Sequence, residues 1–428
     1  MGLKALIKKI PGVNPLICFA KDKLQDIRAA KAFLTERNIP RTSPIRVGFI
    51  CQYIPVWHKL QPIYEAMRED PHFAPYIICV PSNIENSQLV GNDLGRNDTY
   101  EYFTANGYRE SLNSLQPDGS WLPLESLQLS YIFYPRPYDS CMPECYHSNR
   151  VCHYCKICLI LYGMNTTKEI VSVTLHKDFF RHVYCYFAEL PYSMEYNQQQ
   201  NRWLHRLGLQ QSVYYGMPGI EGILSSKNAS SPAWDFSKNG FRIMWTPRWT
   251  TDPALGGSNF FTYYQHLIRY AEENSDADLL FRPHPLALQH FLRTGEMTQQ
   301  DVDQFQHACS TISNLSLDQQ KEYAATFWNT DVLISDISGL IPEYFVTGKP
   351  LIYCASNMSL TPEETTQQII DGSYVVHNWE QLQSCLDMLK RGKDPLAEKR
   401  AQIVKELYCD ELCHPTQHIV EHLAQPSK

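Results

Sequence analysis

Arginine, histidine and serine residues follow three short apolar segments in the second half of the sequence. These segments lead into Thr246-Pro247-Arg248-Trp249-Thr250, Arg282-Pro283-His284-Pro285 and Ser335-Asp336-Ile337-Ser338-Gly339. Guanidinium groups donate paired hydrogen bonds to phosphate oxygens. A histidine can give a proton or a hydrogen bond to a departing phosphate. Three such turns in succession predict a pyrophosphate site, with Arg248, Thr250, Arg282 and His284 among its residues.

The third turn has the composition of an anion-binding helix start. Pro342 lacks an N–H and fits only the first turn of a helix, which places the helix start near Ser338 or Gly339. The free N–H groups of residues 339 to 341 would then point towards a phosphate. Gly339 would let the ligand approach the backbone, Ser338 would donate its hydroxyl, and Glu343 would accept hydrogen bonds from ribose hydroxyls. The alternative is that Ser338 only caps the helix and Glu343 is solvated.

Parallel strands must position these turns. Apolar runs at residues 242–246, 279–282, 332–334 and 351–353 predict strands, and helical segments separate them. The first half repeats the pattern, with predicted strands at residues 46–51, 76–81, 130–134, 158–162, 183–188 and 212–215. Alternating strands and helices indicate the α/β class. Because parallel strands end at one edge of a sheet, the three turns can converge.

Length and composition set the domain organisation. The 428 residues suggest two domains. We predict a helical segment at 1–40, a Rossmann-like domain at 41–210, a second at 211–395 and a helical segment at 396–428. The net charge of −7 argues against nucleic-acid binding through a broad basic surface. No apolar run reaches about 18 residues, so no transmembrane helix is expected.

The first ten residues can form a basic amphipathic helix. Leu3, Leu6, Ile7 and Ile10 share one helical face, with lysines beside it. Such a helix either lies on an anionic membrane surface or packs on the protein body.

The 14 cysteines are scattered through apolar segments, which predicts a reducing cytosol. Cys152, Cys155 and Cys158 have the spacing of a partial metal site, but Cys158 begins an apolar run. We therefore favour buried thiols over a metal site.

The three turns, together with residues 331–353, resemble the C-terminal domain of the CDP-glycerol glycerophosphotransferases, the teichoic acid polymerases and primases of bacterial walls. The resemblance covers about residues 210 to 390 well and residues 45 to 205 more loosely. It implies a GT-B fold, in which two Rossmann-like domains with parallel sheets face a central cleft. It also implies that His284 is catalytic, that Ser338 binds phosphate and that Glu343 lies on the ribose side.

The sequence departs from the family pattern at two places. Gly339 stands where a second serine is usual, which removes one hydroxyl and keeps the N–H. Tyr162-Gly163-Met164 stands where the family has a His-Gly pair proposed to supply the catalytic base. A tyrosine, with an ordinary pKa of about 10, is a poor base at neutral pH. Besides Tyr162, the candidates are Asp139, His58 and His176.

The resemblance implies a transferase that moves glycerol phosphate, or a related polyol phosphate, from a CDP-activated donor to a hydroxyl of a wall or capsule glycan. CMP would leave, and no metal or other cofactor is strictly required. The acceptor would be lipid-linked at the inner membrane face, reached from the cytoplasm. The alternatives are a GT-B sugar-nucleotide glycosyltransferase in surface polysaccharide synthesis and a non-catalytic nucleotide-binding protein.

Overall fold

The computed structural model describes residues 13–36, 42–91, 95–238, 240–320, 322–409 and 412–425. The predicted membrane contact through residues 1–10 lies outside these ranges. Within them, no helix combines the length and apolar character needed to cross a membrane.

The first sheet has seven parallel strands. Their bounds are β1 Ile45–Cys51, β2 Phe73–Cys79, β5 Ser111–Asn113, β6 Tyr131–Tyr134, β7 Lys156–Leu159, β8 Val183–Phe187 and β9 Gln211–Val213. They lie side by side in the order β5-β2-β1-β6-β7-β8-β9, and every pair is parallel. The short hairpin of β3 (Ile84–Glu85) and β4 (Gln88–Leu89) is separate.

The second sheet has six parallel strands. Their bounds are β10 Phe241–Thr246, β11 Ala277–Phe281, β12 Leu315–Leu317, β13 Val332–Ser335, β14 Leu351–Cys354 and β15 Tyr374–Val376. The order is β12-β11-β10-β13-β14-β15. Numbered from its first strand, the second sheet has the 3-2-1-4-5-6 order of dinucleotide-binding folds, and the first sheet has the same order with a seventh strand added at its end. The prediction of two Rossmann-like α/β sheets is therefore confirmed.

Helices connect the strands, as expected for parallel pairing. The α-helices span Val13–Glu36, Gln61–Glu69, Asp98–Ala105, Ser148–Val151, Lys168–Thr174, Lys177–Phe180, Pro191–Gln200, Arg202–Arg206, Pro218–Ser225, Phe260–Glu273, Ala287–Thr294, Gln299–Thr311, Ala324–Trp328, Leu340–Phe345, Glu364–Asp371, Trp379–Lys390, Ala397–Leu407 and Pro415–Ala424. Short 3-10 helices span Ile54–Lys59, Leu124–Leu127, Asp139–Cys141, Glu144–Tyr146, Pro232–Trp234 and Pro253–Leu255.

Burial accounts for the apolar runs from which the sequence predicted its strands. All four residues of β13 and all four of β14 are buried, because helices cover both faces of a parallel sheet. The strand predicted at residues 158–162 instead spans Lys156–Leu159. Ile160 and Leu161 are buried beyond the strand end, so their apolar character reflects packing rather than strand pairing.

The chain divides into two compact units, and each is discontinuous in sequence. The first comprises residues 1–162, 174–214 and 416–428, and the second comprises residues 163–173 and 215–415. The units therefore differ from the continuous ranges 41–210 and 211–395. Residues 163–173 follow β7 of the first sheet yet belong to the second unit, and the helix Pro415–Ala424 returns almost entirely to the first.

Candidate functional site

The turn after β13 begins the site in the second unit. The helix that follows it starts at Leu340, so Pro342 lies in the first turn as predicted. The N–H of Leu340 donates to Ser338 Oγ at 3.0 Å, and the N–H of Ile341 donates to the carbonyl of Ser338 at 3.2 Å. The prediction that residues 339 to 341 offer three free N–H groups is therefore wrong. Only the N–H of Gly339 has no acceptor among the described residues.

Gly339 packs closely against another segment of the second unit. Its φ of −63° and ψ of −13° are ordinary helical angles. A Cβ at this position would lie 3.0 Å from the carbonyl oxygen of Met164 and 3.4 Å from its nitrogen. The missing side chain thus permits close packing of the turn against the Met164 backbone, within the second unit.

Asp336 is the residue of this site that sequence reasoning missed. It is fully buried, and its carboxylate accepts from the backbone N–H of Arg248 at 2.9 Å and from the side-chain amide of Asn259 at 2.8 Å. The N–H of Asn259 and the hydroxyl of Ser258 donate to it as well. Burial raises its pKa, while these donors act in the opposite direction. Asp336 therefore joins the turns after β13 and β10.

Arg248 lies directly on the predicted phosphate turn. Its Nη1 donates to the carbonyl of Ile337 at 2.8 Å, and its Nε donates to the carbonyl of Leu255. Thr250, in the same loop, is buried, and its hydroxyl accepts from the N–H of Asp252. The structure thus brings Arg248 beside Ser338 and holds its guanidinium through two backbone carbonyls. Thr250 shapes this loop through backbone contacts.

His284 follows β11 and keeps an exposed surface. The backbone N–H of Leu286 donates to its Nδ1 at 3.2 Å, so the neutral ring carries its proton on Nε2. Partial burial and then the charge of Arg248 lower the pKa of His284. The ring is consequently a neutral Nε2–H donor at pH 7, close enough to Arg248 to sense its charge.

Arg282 and Glu343 occupy a buried network beside the turns. Arg282 donates to Asp318 at 2.5 Å and lies 5.0 Å from the ring centroid of Tyr323. The hydroxyl of Tyr323 donates to Glu343, which is only 2% exposed. The predicted alternative of a solvated Glu343 is therefore wrong. The charge of Arg282 is already balanced by Asp318, which leaves Arg248 as the principal cation of the turns.

The candidates for a base lie in the first unit and differ in setting. Asp139 accepts from the N–H and the hydroxyl of Ser148 at 2.7 and 2.8 Å, and burial raises its pKa. Tyr162 is 41% exposed and lies beside Tyr138, whose pKa is raised by burial and then by the Tyr162 hydroxyl. His58 donates from Nδ1 to the carbonyl of Pro55 at 2.9 Å, so its Nε2 holds the lone pair of the neutral ring. His176 caps the helix before β8, at the amino edge of the sheet.

The cysteines support the thiol interpretation. Cys152, Cys155 and Cys158 are all buried as free thiols. Among the described residues, no three histidine, cysteine or acidic side chains are grouped as metal ligands would be.

Comparisons with known proteins extend the description of the fold. No family model matches the sequence, and no curated protein sequence matches it. Solved structures do. UDP-GlcNAc 2-epimerase from Neisseria meningitidis bound to UDP-GlcNAc superposes with a TM-score of 0.58 at 11% identity, over 89% of this chain and 99% of that one. The S. aureus MnaA–UDP co-structure gives 0.57 at 12% identity, over 89% and 96%.

A third similar structure matches the resemblance that the sequence motifs indicate. The wall teichoic acid polymerase TagF, in a histidine variant soaked with CDPG, superposes with a TM-score of 0.51 at 13% identity. The alignment covers 99% of this chain and 98% of that one. This chain has the GT-B fold. In a GT-B protein, the turns that leave the carboxyl edge of each Rossmann-like sheet are the expected ligand contacts, and Arg248, His284 and Ser338 all lie on such turns.

Proposed function

We propose that this GT-B protein is a transferase that moves glycerol phosphate, or a related polyol phosphate, from a CDP-activated donor to a hydroxyl of a cell-wall or capsule glycan. The observation that carries this proposal is the set of contacts made by Arg248. The Asp336 carboxylate accepts a hydrogen bond from the backbone N–H of Arg248. The Arg248 guanidinium donates to the carbonyl of Ile337, the residue before Ser338. A cation is thereby held at the switch point between β10 and β13, where the donor pyrophosphate would lie.

The proposed reaction is a phosphoryl transfer. The acceptor hydroxyl attacks the β-phosphorus of the donor, a new P–O bond forms, and the bond to the bridging oxygen breaks. CMP leaves with that oxygen and its electron pair, and the hydroxyl proton passes to a base. Asp139, Tyr162, His58 and His176 remain the candidates for that base.

His284 would serve the departing CMP. Its Nε2–H is the group able to donate to a phosphate oxygen, because Nδ1 is engaged by Leu286. A bound pyrophosphate would raise the pKa of His284, since nearby negative charge favours the protonated ring. The ring would thus gain charge as the donor binds, next to Arg248. Stabilisation by these groups is the reason no metal is strictly required in this proposal.

The acceptor in this proposal is a lipid-linked glycan at the inner face of the cell membrane, reached from the cytoplasm. The second candidate is a sugar-nucleotide glycosyltransferase. It is favoured by the similarity to the UDP and UDP-GlcNAc complexes, whose TM-scores of 0.57 and 0.58 exceed the 0.51 of the TagF complex. The two candidates differ in products, because the first releases CMP and the second a nucleoside diphosphate.

Thermal shift with CDP, UDP, GDP and CMP tests the donor. A ligand stabilises the folded state by RT ln(1 + [L]/Kd), so the preferred base produces the largest shift. We expect CDP to exceed UDP and GDP, and CMP to appear during turnover of CDP-glycerol with a glycan acceptor. A larger shift with UDP, together with release of UDP from a UDP-sugar, would replace the proposal with the second candidate.

A further inference from the structure

The first sheet has a switch point of its own, and it carries an arginine without a counter-ion. β1 and β6 are neighbours at the centre of that sheet, while the chain continues from β1 to β2 on one side and from β6 to β7 on the other. Ligands of open parallel sheets bind at the carboxyl ends of two such strands. Gln52 follows β1 there, and Arg136 lies two residues after the end of β6.

Arg136 is held in place by neutral groups. Its Nη2 donates to Gln52 Oε1, and Gln52 Nε2 donates to the carbonyl of Cys141. Gln52 is 1% exposed, so its amide cannot reorient freely. The guanidinium lies 5.9 Å from the ring centroid of Tyr53, and Pro135 and Pro137 restrict the backbone on both sides. The side chain is therefore positioned before any ligand arrives.

No carboxylate of the described residues balances the charge of the Arg136 guanidinium. Arg136 Nε is buried without a hydrogen-bond partner, and no carboxylate of the described residues forms an ion pair with the side chain. Three half-buried or buried arginines behave differently: Arg282, Arg181 and Arg400 pair with Asp318, Asp22 and Asp394. A partly buried cation without a counter-ion is costly, and an anion at the switch point would remove that cost.

The surroundings suit a ligand that also has hydroxyl and C–H groups. Tyr53 is 42% exposed beside the guanidinium. Tyr162 is 41% exposed and lies beside Tyr138, which is two residues after Arg136. Exposed tyrosines offer ring faces to C–H groups and hydroxyls to hydrogen-bond partners. A simple inorganic anion would use only the guanidinium, whereas a polyol phosphate would also contact the exposed ring of Tyr53.

We infer that Arg136 binds a phosphate of the acceptor, so the acceptor is a hydroxyl compound that also carries a phosphate. This rests on the proposed transferase function and specifies its acceptor as anionic. Two sources share this chemistry: the end of a polyol-phosphate chain and the diphosphate of a lipid-linked glycan.

Calorimetric titration of the full chain tests the binding step. We expect sn-glycerol 3-phosphate to bind and glycerol to bind much more weakly. Arg136→Gln should lower the affinity for sn-glycerol 3-phosphate about tenfold or more, as expected for loss of a hydrogen bond to a charged group. Arg202→Gln is the matched control, because Arg202 is exposed in the same unit and forms no ion pair with the described residues. Equal affinities in the two variants would overturn the inference.

Kinetics separates this inference from the proposed function. Arg136→Gln should raise KM for a phosphate-bearing acceptor and leave CDP affinity unchanged, because the donor turns lie in the other unit. Comparing a polyol-phosphate oligomer with a lipid-linked diphosphate glycan identifies the source as the acceptor whose KM rises more. If Arg136→Gln binds CDP like the wild type and changes KM for neither acceptor, the role of Arg136 is rejected and the proposed function is not. Absence of CDP binding in the wild type would reject the proposed function.

Discussion

His284 is the side chain whose protonation should depend most on a bound donor. Its ring is neutral in the structure, with Nδ1 accepting from Leu286 and Nε2 carrying the proton. His284→Ala should therefore abolish CMP release while leaving the unfolding temperature close to wild type, because the residue lies on an exposed turn. His290→Ala is the control, since the Trp249 ring lies 4.8 Å from the ring of His290 and 6.4 Å from that of His284. Unchanged CMP release by His284→Ala would remove His284 from the mechanism.

His182 makes the stability of the first unit depend on pH. Burial, followed by the charges of Arg181 and His153, lowers its pKa from 6.5 to about 3. Above pH 6.5 the ring is neutral in both folded and unfolded chains and contributes no pH dependence. Below pH 6.5 the unfolded chain binds the proton first, so the free energy of unfolding falls towards pH 3.

The expected slope is at most about 1.4 kcal/mol per pH unit for this one proton. His182→Gln should reduce the slope of the unfolding free energy between pH 6.5 and 4. His176→Gln should leave it unchanged, because His176 is exposed. Denaturant unfolding at several pH values measures both, and equal slopes in wild type and His182→Gln would show that His182 is not the linked group.

At the scale of elements, the turn of residues 336–339 combines a cap, a buried carboxylate and a close backbone contact. Ser338→Ala removes the hydroxyl that accepts from Leu340, and it should weaken CDP binding roughly tenfold to a hundredfold. Gly339→Val should weaken CDP binding more than Ser338→Ala does, because the valine Cβ would lie 3.0 Å from the Met164 carbonyl oxygen. The turn or residues 163–173 would then have to move.

Gly222→Ala provides the control for that comparison. Gly222 lies in the helix Pro218–Ser225, and a Cβ added there would meet nothing within 4 Å, so alanine should be tolerated or mildly stabilising. Calorimetric titration with CDP compares the three variants with wild type. Wild-type affinity in Gly339→Val would place the phosphates elsewhere.

The elements of the fold followed from local sequence more readily than the contacts of the site. Aliphatic runs identified β10, β11, β13 and β14 because strands covered on both faces must be apolar throughout. The short strands β5, β12 and β15 were not predicted, although β9, which is equally short, was, because three residues give only a weak pattern. Their pairing depends on neighbours that are distant in the sequence.

The site residues were predicted by type, and their partners were not. Asp336 directly follows a buried strand, and an acidic residue there could have signalled a buried acceptor of backbone N–H groups. The pairing of Arg282 with Asp318 gives no local sequence signal, because 36 positions separate them. The packing of Gly339 against Met164 likewise depends on the route of the chain between the two units.

At the scale of the whole molecule, the helix Pro415–Ala424 completes the first unit. Ile419 and Leu423 are buried, and the ring of His422 lies 5.7 Å from that of Phe187 in β8. Ile419→Ala should destabilise the first unit by about 2–5 kcal/mol, as for other buried Ile-to-Ala changes.

Hydrogen exchange should detect this change as faster exchange in β8 and β9. The second sheet should keep its protection. Gln417→Ala, at an exposed position of the same helix, is the control. Equal acceleration in both sheets would show that the two units unfold together.

The return of residues 416–428 to the first unit has a consequence for synthesis on the ribosome. All seven strands of the first sheet leave the exit tunnel before any of the second, yet the helix that covers β8 is made after the whole second sheet. Part of the apolar face of the nascent first sheet therefore stays exposed while the second unit is translated. Chaperone binding to stalled nascent chains should accordingly persist until residue 424 has emerged, instead of ending after β9.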